Sequence, residues 1–296
     1  MPYLFAIALL MLWAPAASAQ DLDRDGLTDQ LEQALLDRFL PAFHVSAGEC
    51  DGLPASFAPG TEHPTVSARN GTIHGRAFPS AGGVEVQYFH LWERDCGRGG
   101  HALDAEHVSA LVKPSADGTW SAQFWYAAAH EDTFCDRSTG ASAATLGAEL
   151  SGPRVYISRG KHASYFNRGH CTRGCGTDAC PTGEVLAVAA LVNIGEPGAP
   201  LNGATWTAST RWPLSNKLQS DFDPAVKRRL DHTEGASVVM LTSHLRAPQA
   251  PVLAGDTALD GILHARSATV RAVGATASAL ARALSAIAVA RRSHPR

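Results

Sequence analysis

The chain has 296 residues, with 25 Lys and Arg against 28 Asp and Glu and a formal net charge of −3. That balance gives no footing for a polyanionic nucleic-acid partner. Hydrophobic residues at 45% supply enough apolar side chains for one large core or two small ones.

Residues 1–19 read as an export signal. Phe5 to Trp13 is an apolar core, too short for a membrane span, and Ala17-Ser18-Ala19 is a small-x-small cleavage site. The expected mature chain starts at Gln20, has no transmembrane helix, and is secreted or periplasmic. Six cysteines in such a compartment imply up to three disulfides. Six cysteines permit about fifteen pairings. Cys96–Cys135 is the favoured long-range staple, with the 171–180 cluster closing a local loop.

Residues 20–41 form a predicted calcium loop and helix. Asp21, Asp23, Asp25, Asp29 and Glu32 hold loop positions for a hard cation, Gly26 permits the sharp turn, and Leu27 offers its carbonyl. Leu31, Ala34, Leu35 and Phe39 then share one helical face, ending before Pro41. Cleavage at Ala19 leaves no entering helix, so the expected ion is structural rather than part of a sensor pair.

From 42 to 250 the texture is β. Turn signals at Asn70-Gly71 and Ala81-Gly82-Gly83 separate short apolar or alternating runs. Strands are predicted at Val84–Trp92, His107–Val112, Thr119–Tyr126, Arg154–Ser158, Val185–Val192 and Ser237–Leu241. Without long helices between them, these strands point to a mostly β protein built as an antiparallel β-sandwich. Residues 251–296 turn rich in Ala and Arg. Leu259, Ile262, Leu263, Val270 and Val273 share a helical face interrupted by Arg266, which predicts a helical tail docked on the sandwich or lying on a membrane surface.

The residues with chemical promise cluster in Gly100-His101-Ala-Leu-Asp104-Ala-Glu106-His107-Val108. On a strand, Asp104 and Glu106 share a face, and His101 sits in the turn before them. An imidazole and two carboxylates there suit a divalent cation or acid–base work. Glu93 and Asp95 close the preceding strand. Further polar knots occur at His130-Glu131-Asp132 and at Ser158-Arg-Gly-Lys161-His162-Ala-Ser-Tyr165.

The GHxxDxEHV run, Gly100 to Val108, resembles the heptapeptide region of the necrosis- and ethylene-inducing peptide-like proteins, and Tyr88 to Asp95 resembles that family's preceding aromatic strand. The SxGxHASYF segment, Ser158 to Phe166, is similar to a motif of proteins related to vacuolar protein sorting-associated protein 62, whose bacterial members often open on a similar DxDGLxDxLE stretch. The likeness spans residues 21–170. It implies a β-sandwich with a second divalent cation, magnesium or calcium, in a surface cavity. Its ligands would be His101, Asp104 and Glu106, with Asp95 as the upstream acid in competition with Glu93, and His162 as the distal histidine. Ala102, Leu103 and Ala105 stand where that family has Arg, His and Trp, which argues against sphingolipid-glycan recognition and plant-cell lysis.

Three functional readings follow. One is an exported, metal-dependent binding or toxin-like module for lipid or glycan head groups. Another is a metal-dependent hydrolase with His162 or His130 moving protons. The last is a structural envelope protein. The chain has no GxSxG elbow, HExxH helix, phosphate-binding loop or dinucleotide fingerprint, so the common hydrolase and nucleotide-dependent classes gain no support.

Overall fold

Strands dominate the computed structural model, which describes residues 20–58, 61, 64–131, 133–176, 178–195, 217–231 and 238–241. The expected export signal and the basic tail lie outside the described residues. In chain order, α1 (Asp29–Phe39) leads to β1 (Ala42–Ser46), β2 (Ala55–Phe57), β3 (Val66–Arg69) and β4 (Thr72–Ser80). The long hairpin β5 (Gly83–Arg94) and β6 (Ala102–Pro114) follows, then β7 (Trp120–Ala127), β8 (Thr139–Ser142) and α2 (Ala143–Leu146). After these come β9 (Arg154–Ile157), β10 (Ser164–Tyr165), α3 (Arg168–Thr172), β11 (Gly183–Val185) and β12 (Ala190–Asn193). Helix α4 (Pro224–Asp231) and β13 (Val239–Met240) complete the described elements.

Seven strands form one sheet in the order β12-β4-β5-β6-β7-β8-β13, and four form another in the order β10-β9-β1-β11. The main core lies between them. Val86, Tyr88 and Trp92 of β5, Val108 and Ala110 of β6 and Trp125 of β7 meet Phe43 of β1 and Val155 and Ile157 of β9, with Leu35, Leu36 and Phe39 of α1 closing one side. This is a sandwich, as expected. It is not purely antiparallel: β1 pairs with β9, and β12 with β4, in parallel. A parallel partner needs a long crossover, and the chain supplies one by running through most of the large sheet between β1 and β9.

The large sheet is covered on both faces. On the far side, Leu111 and Tyr126 pack under Phe222, Val226 and Leu230 of the α4 region, while Phe89, Leu91 and Ala105 meet Phe57 and Leu218. That double burial is why β5 carries buried residues at nearly every position instead of a simple in–out alternation. The β4–β5 connection uses Ala81 and Gly82, both at positive φ, in a two-residue turn that the Ala-Gly-Gly signal had marked.

Two expectations are corrected. The Val185–Val192 run is not one strand, because its middle crosses between sheets: Leu186 N–H donates to Phe43 O at 2.7 Å and Ala189 N–H to Gly71 O at 3.3 Å. The expected Cys96–Cys135 staple also does not form. Cys96 bonds Cys50 and Cys135 bonds Cys175, while Cys171–Cys180 closes the local loop as anticipated. The cause is tertiary: Asp51 Oδ2 accepts from the Glu93 and Arg94 N–H groups at 2.7 and 3.1 Å, which brings the 49–51 segment, and Cys50 with it, to the end of β5.

Candidate functional site

The β5–β6 hairpin loop is shaped by its glycines. Asp95 N–H donates to His101 O at 2.9 Å and Gly100 N–H to Gly97 O at 3.0 Å; a Cβ on Gly100 would meet Asp95 O at 2.3 Å, so no larger residue fits. A second turn docks on this loop. The Cys96 and Gly97 N–H groups both donate to Gly160 O at 2.9 Å, and His162 N–H closes the turn on Ser158 O at 2.8 Å. His162 sits at φ +56, a left-handed conformation that side chains avoid, and is held there by its surroundings.

These loops and the β7–β8 connection enclose a cavity of about 980 Å³. Asp95, His101, Asp104 and Glu106 line it together, with Lys161 and Lys217. As the strand geometry required, Asp104 and Glu106 share a face, paired across the hairpin with Trp92 and His90. His162 lies beneath the cavity, stacked on Trp92 with ring centroids 3.9 Å apart.

Each predicted acid already has a partner. His162 Nδ1 lies 2.8 Å from Asp104 Oδ2 and its Nε2 3.4 Å from Glu49 Oε1. Lys217 Nζ donates to Glu106 Oε2 at 2.8 Å, and Lys161 Nζ to Asp95 Oδ2 at 2.9 Å. His101 is exposed; its Nε2 is 3.8 Å from Asp95 Oδ2. Burial alone would depress His162, but the hydrogen bonds and charges of Asp104 and Glu49 outweigh it and lift its pKa to about 9. Burial would raise Asp104, yet the same pairing holds it below the ordinary carboxylate value. His90 is pushed well down, first by burial and then by the neighbouring His162 charge.

A metal ion was the expectation for this set. Among the described residues, ligand atoms mutually within 4.8 Å form three groups: Asp21/Asp23/Asp25, Glu49/Cys50/His162 and His107/Glu131/Asp221. None joins His101, Asp104 and Glu106. In this arrangement ammonium groups stand against Glu106 and Asp95, where a divalent ion would have to coordinate.

The N-terminal loop contrasts with it. Asp21, Asp23 and Asp25 converge on one point, and Gly26 takes φ +99. The outer oxygens are spent on the loop itself: Asp21 Oδ2 accepts from Gly26 N–H at 3.2 Å and Asp25 Oδ1 from Leu27 N–H at 2.7 Å. The other oxygens, Asp21 Oδ1 and Asp25 Oδ2, are buried with no hydrogen-bond partner. Burial raises the Asp25 pKa, and the Asp21 charge adds to it. Thr28 caps α1, Asp29 Oδ1 ties back to Leu22 N–H at 2.9 Å, and Glu32, buried in α1, accepts from Asn193 Nδ2 at 3.1 Å. Asp21, Asp23 and Asp25 fit a hard cation, since buried carboxylate oxygens left without donors call for a positive charge, while Asp29 and Glu32 do not join that group.

Several site residues had no local signal in the sequence. Glu49, Lys217 and Asp178 are remote from the motif. Asp178 takes His130 Nε2 at 2.8 Å and also accepts from Tyr165 OH. His130, at φ +56, lines the cavity beside Glu131 and the fully exposed Phe134. Burial opposes charge on His130, but the Asp178 hydrogen bond and the Glu106 charge raise its pKa.

No protein-family model matches the chain, and no curated protein does. Solved structures are similar to it. NLPPya in complex with glucosamine matches at 19% identity over 54% of this chain and 72% of that one, with a TM-score of 0.35. A structure described as a toxin fold for microbial attack and plant defense matches at 16% identity over 53% and 72%, TM-score 0.33. The non-toxic HaNLP3 protein matches at 12% identity over 62% and 79%, TM-score 0.30. These neighbours are necrosis- and ethylene-inducing peptide-like proteins. None of these neighbours is a protein related to vacuolar protein sorting-associated protein 62, so that likeness rests on the Asp21–Glu32 and Ser158–Phe166 sequences alone.

Proposed function

We propose that this protein is an exported, calcium-dependent binding module of toxin-like type, whose cavity receives the polar head group of a lipid or glycan. The observation that carries the reading is the cavity itself. Carboxylates of Asp95, Asp104 and Glu106 alternate with the ammonium groups of Lys161 and Lys217, and Phe134 stands free at the rim. Interleaved donors and acceptors suit a polyhydroxylated ligand, and an exposed aromatic ring offers an apolar face to a sugar ring or an acyl chain. The three disulfides fit the oxidising compartment that export requires.

Calcium belongs to the Asp21–Glu32 loop in this reading, where it would anchor α1 and, through Glu32 and Asn193, the β12 edge of the large sheet. A second divalent ion in the cavity competes with Lys217 and Lys161 for the same oxygens and enters only by opening those pairs.

The test is binding of glucosamine, the amino sugar bound by NLPPya, and of mixed-lipid vesicles to the calcium-loaded protein. Glu106→Gln and Phe134→Ser should each weaken whichever ligand binds; full retention in both variants overturns the reading. The His130–Asp178 pair favours a second reading, hydrolysis, with Asp178 orienting His130 to take a proton from water at the cavity wall. In that case His130→Gln abolishes turnover of a bound ligand while leaving its affinity intact.

A further inference from the structure

We propose that a second cleft, beside the Cys135–Cys175 staple, binds a phosphate or sulfate ester group. The cleft has a volume of about 410 Å³, and Arg137, Thr139, Tyr165, His170, Arg173 and Met240 line it. No carboxylate is among its lining residues. Arg137 lies two residues after Cys135 and Arg173 two before Cys175, so the disulfide pins the two guanidinium-bearing segments to each other.

Neither arginine forms an ion pair with a described residue; Arg137 Nη1 lies 3.9 Å from the weak acceptor Met240 Sδ. Asp178, which Tyr165 reaches, is already taken by Tyr165 OH, by His130 Nε2 and by the Cys175 N–H at 2.8 Å. The independent sign of a ligand is Thr139. It is 5% exposed, and its hydroxyl is buried with no hydrogen-bond partner. A buried hydroxyl that makes no hydrogen bond is a standing cost to the fold. An anion in the cleft would accept a hydrogen bond from that hydroxyl and offset the charge of the two arginines.

Guanidinium groups present paired donors that match tetrahedral oxyanions, and the His170 imidazole can add a further one. The space is far larger than a bare oxyanion needs, and Met240 and the Tyr165 ring give it an apolar wall. An ester, whose oxyanion meets the arginines and whose organic part meets that wall, fits both features. The cleft shares no lining residue with the cavity. Tyr165, Asp178 and His130 nevertheless connect the two through consecutive hydrogen bonds.

The experiment titrates the full mature protein with inorganic phosphate, with glycerol phosphate, and with phosphatidylcholine vesicles containing phosphatidic acid. Saturable binding of one equivalent is expected, with glycerol phosphate tighter than inorganic phosphate. Arg137→Gln combined with Arg173→Gln should weaken it by about tenfold or more, the scale of losing charge-assisted hydrogen bonds. Glu106→Gln should leave the binding of inorganic phosphate and glycerol phosphate unchanged, since Glu106 lines the cavity and not the cleft. Thr139→Val is the sharper arm: it removes a buried hydroxyl without a partner, so the protein should melt at the same temperature or higher while binding the ester more weakly. Binding of the soluble esters without vesicle binding assigns a free or glycan-borne ester; vesicle binding displaced by glycerol phosphate assigns a lipid head group. Absence of saturable binding by every probe, or equal affinity in the double arginine variant, overturns the proposal.

Discussion

Two acidic clusters in this chain, the Asp21–Glu32 loop and the Asp95–Glu106 hairpin, look alike in sequence and end differently in space. In the first, Asp21, Asp23 and Asp25 turn toward a common point with Asp21 Oδ1 and Asp25 Oδ2 unbonded. The buried Arg76 adds positive charge beneath Asp23, Asp25 and Glu32, yet those two oxygens stay without donors. In the second, Lys217, Lys161 and His162 take up Glu106, Asp95 and Asp104. The lesson is that a run of acids specifies a need for positive charge, and what meets the need depends on which cations the fold delivers.

The comparison breaks most readily at the loop. Chelating calcium should lower the melting temperature, and Asp21→Ala with Asp25→Ala should remove that sensitivity. At a thousandfold excess of calcium over its Kd the stabilisation is about 4 kcal/mol, or roughly 8–16 °C for a domain of this size. A melting curve indifferent to chelation would leave the loop without its ion. The hairpin offers the converse. Lys217→Met strands the buried Glu106 carboxylate, a loss of about 3 kcal/mol or more, and should make the cavity behave like the loop. Millimolar calcium or magnesium would then restore part of the melting temperature, in the variant only.

The His162 charge sharpens the contrast through pH. Its pKa stands at about 9 in the folded protein against 6.5 when free, so its contribution is complete below about pH 6.5 and disappears as pH rises through about 9. From 2.303RT per pKa unit, the contribution is on the order of 3 kcal/mol. Asp104, held below its ordinary value, works in the other direction and loses its contribution as pH falls through that lowered value. His162→Gln should flatten the alkaline limb of a melting-temperature profile; an unaltered limb would mean the imidazole is neutral between its two acids. The smallest effect belongs to Phe134→Ser. With no burial to lose, stability should change by no more than about 0.5 kcal/mol, while vesicle or sugar binding falls.

How far the sequence was legible follows from range. The acidic turn at Asp21–Asp25, α1 and the β5–β6 hairpin are local patterns, and each lies where the residues placed it: Thr28 caps, Pro41 stops, Ala81-Gly82 turns. The candidate cavity was half legible. Asp104 and Glu106 sharing a face is a property of any strand, but the partners of that face come from far away. Lys217 lies 111 residues from Glu106, and Glu49 lies in a segment brought close by Asp51. The Val185–Val192 run shows the same limit, because an apolar stretch does not state that it must leave one sheet to join another.

By itself, then, the order of residues determined the β-rich character, the acid loop behind the expected cleavage site and the face on which the hairpin acids stand, since each depends on neighbours within a few positions. Tertiary structure alone decided the partners of Cys96 and Cys135, the parallel edges and which cations meet the hairpin carboxylates. Those are choices among distant groups, settled by which of them packing brings within a few ångströms.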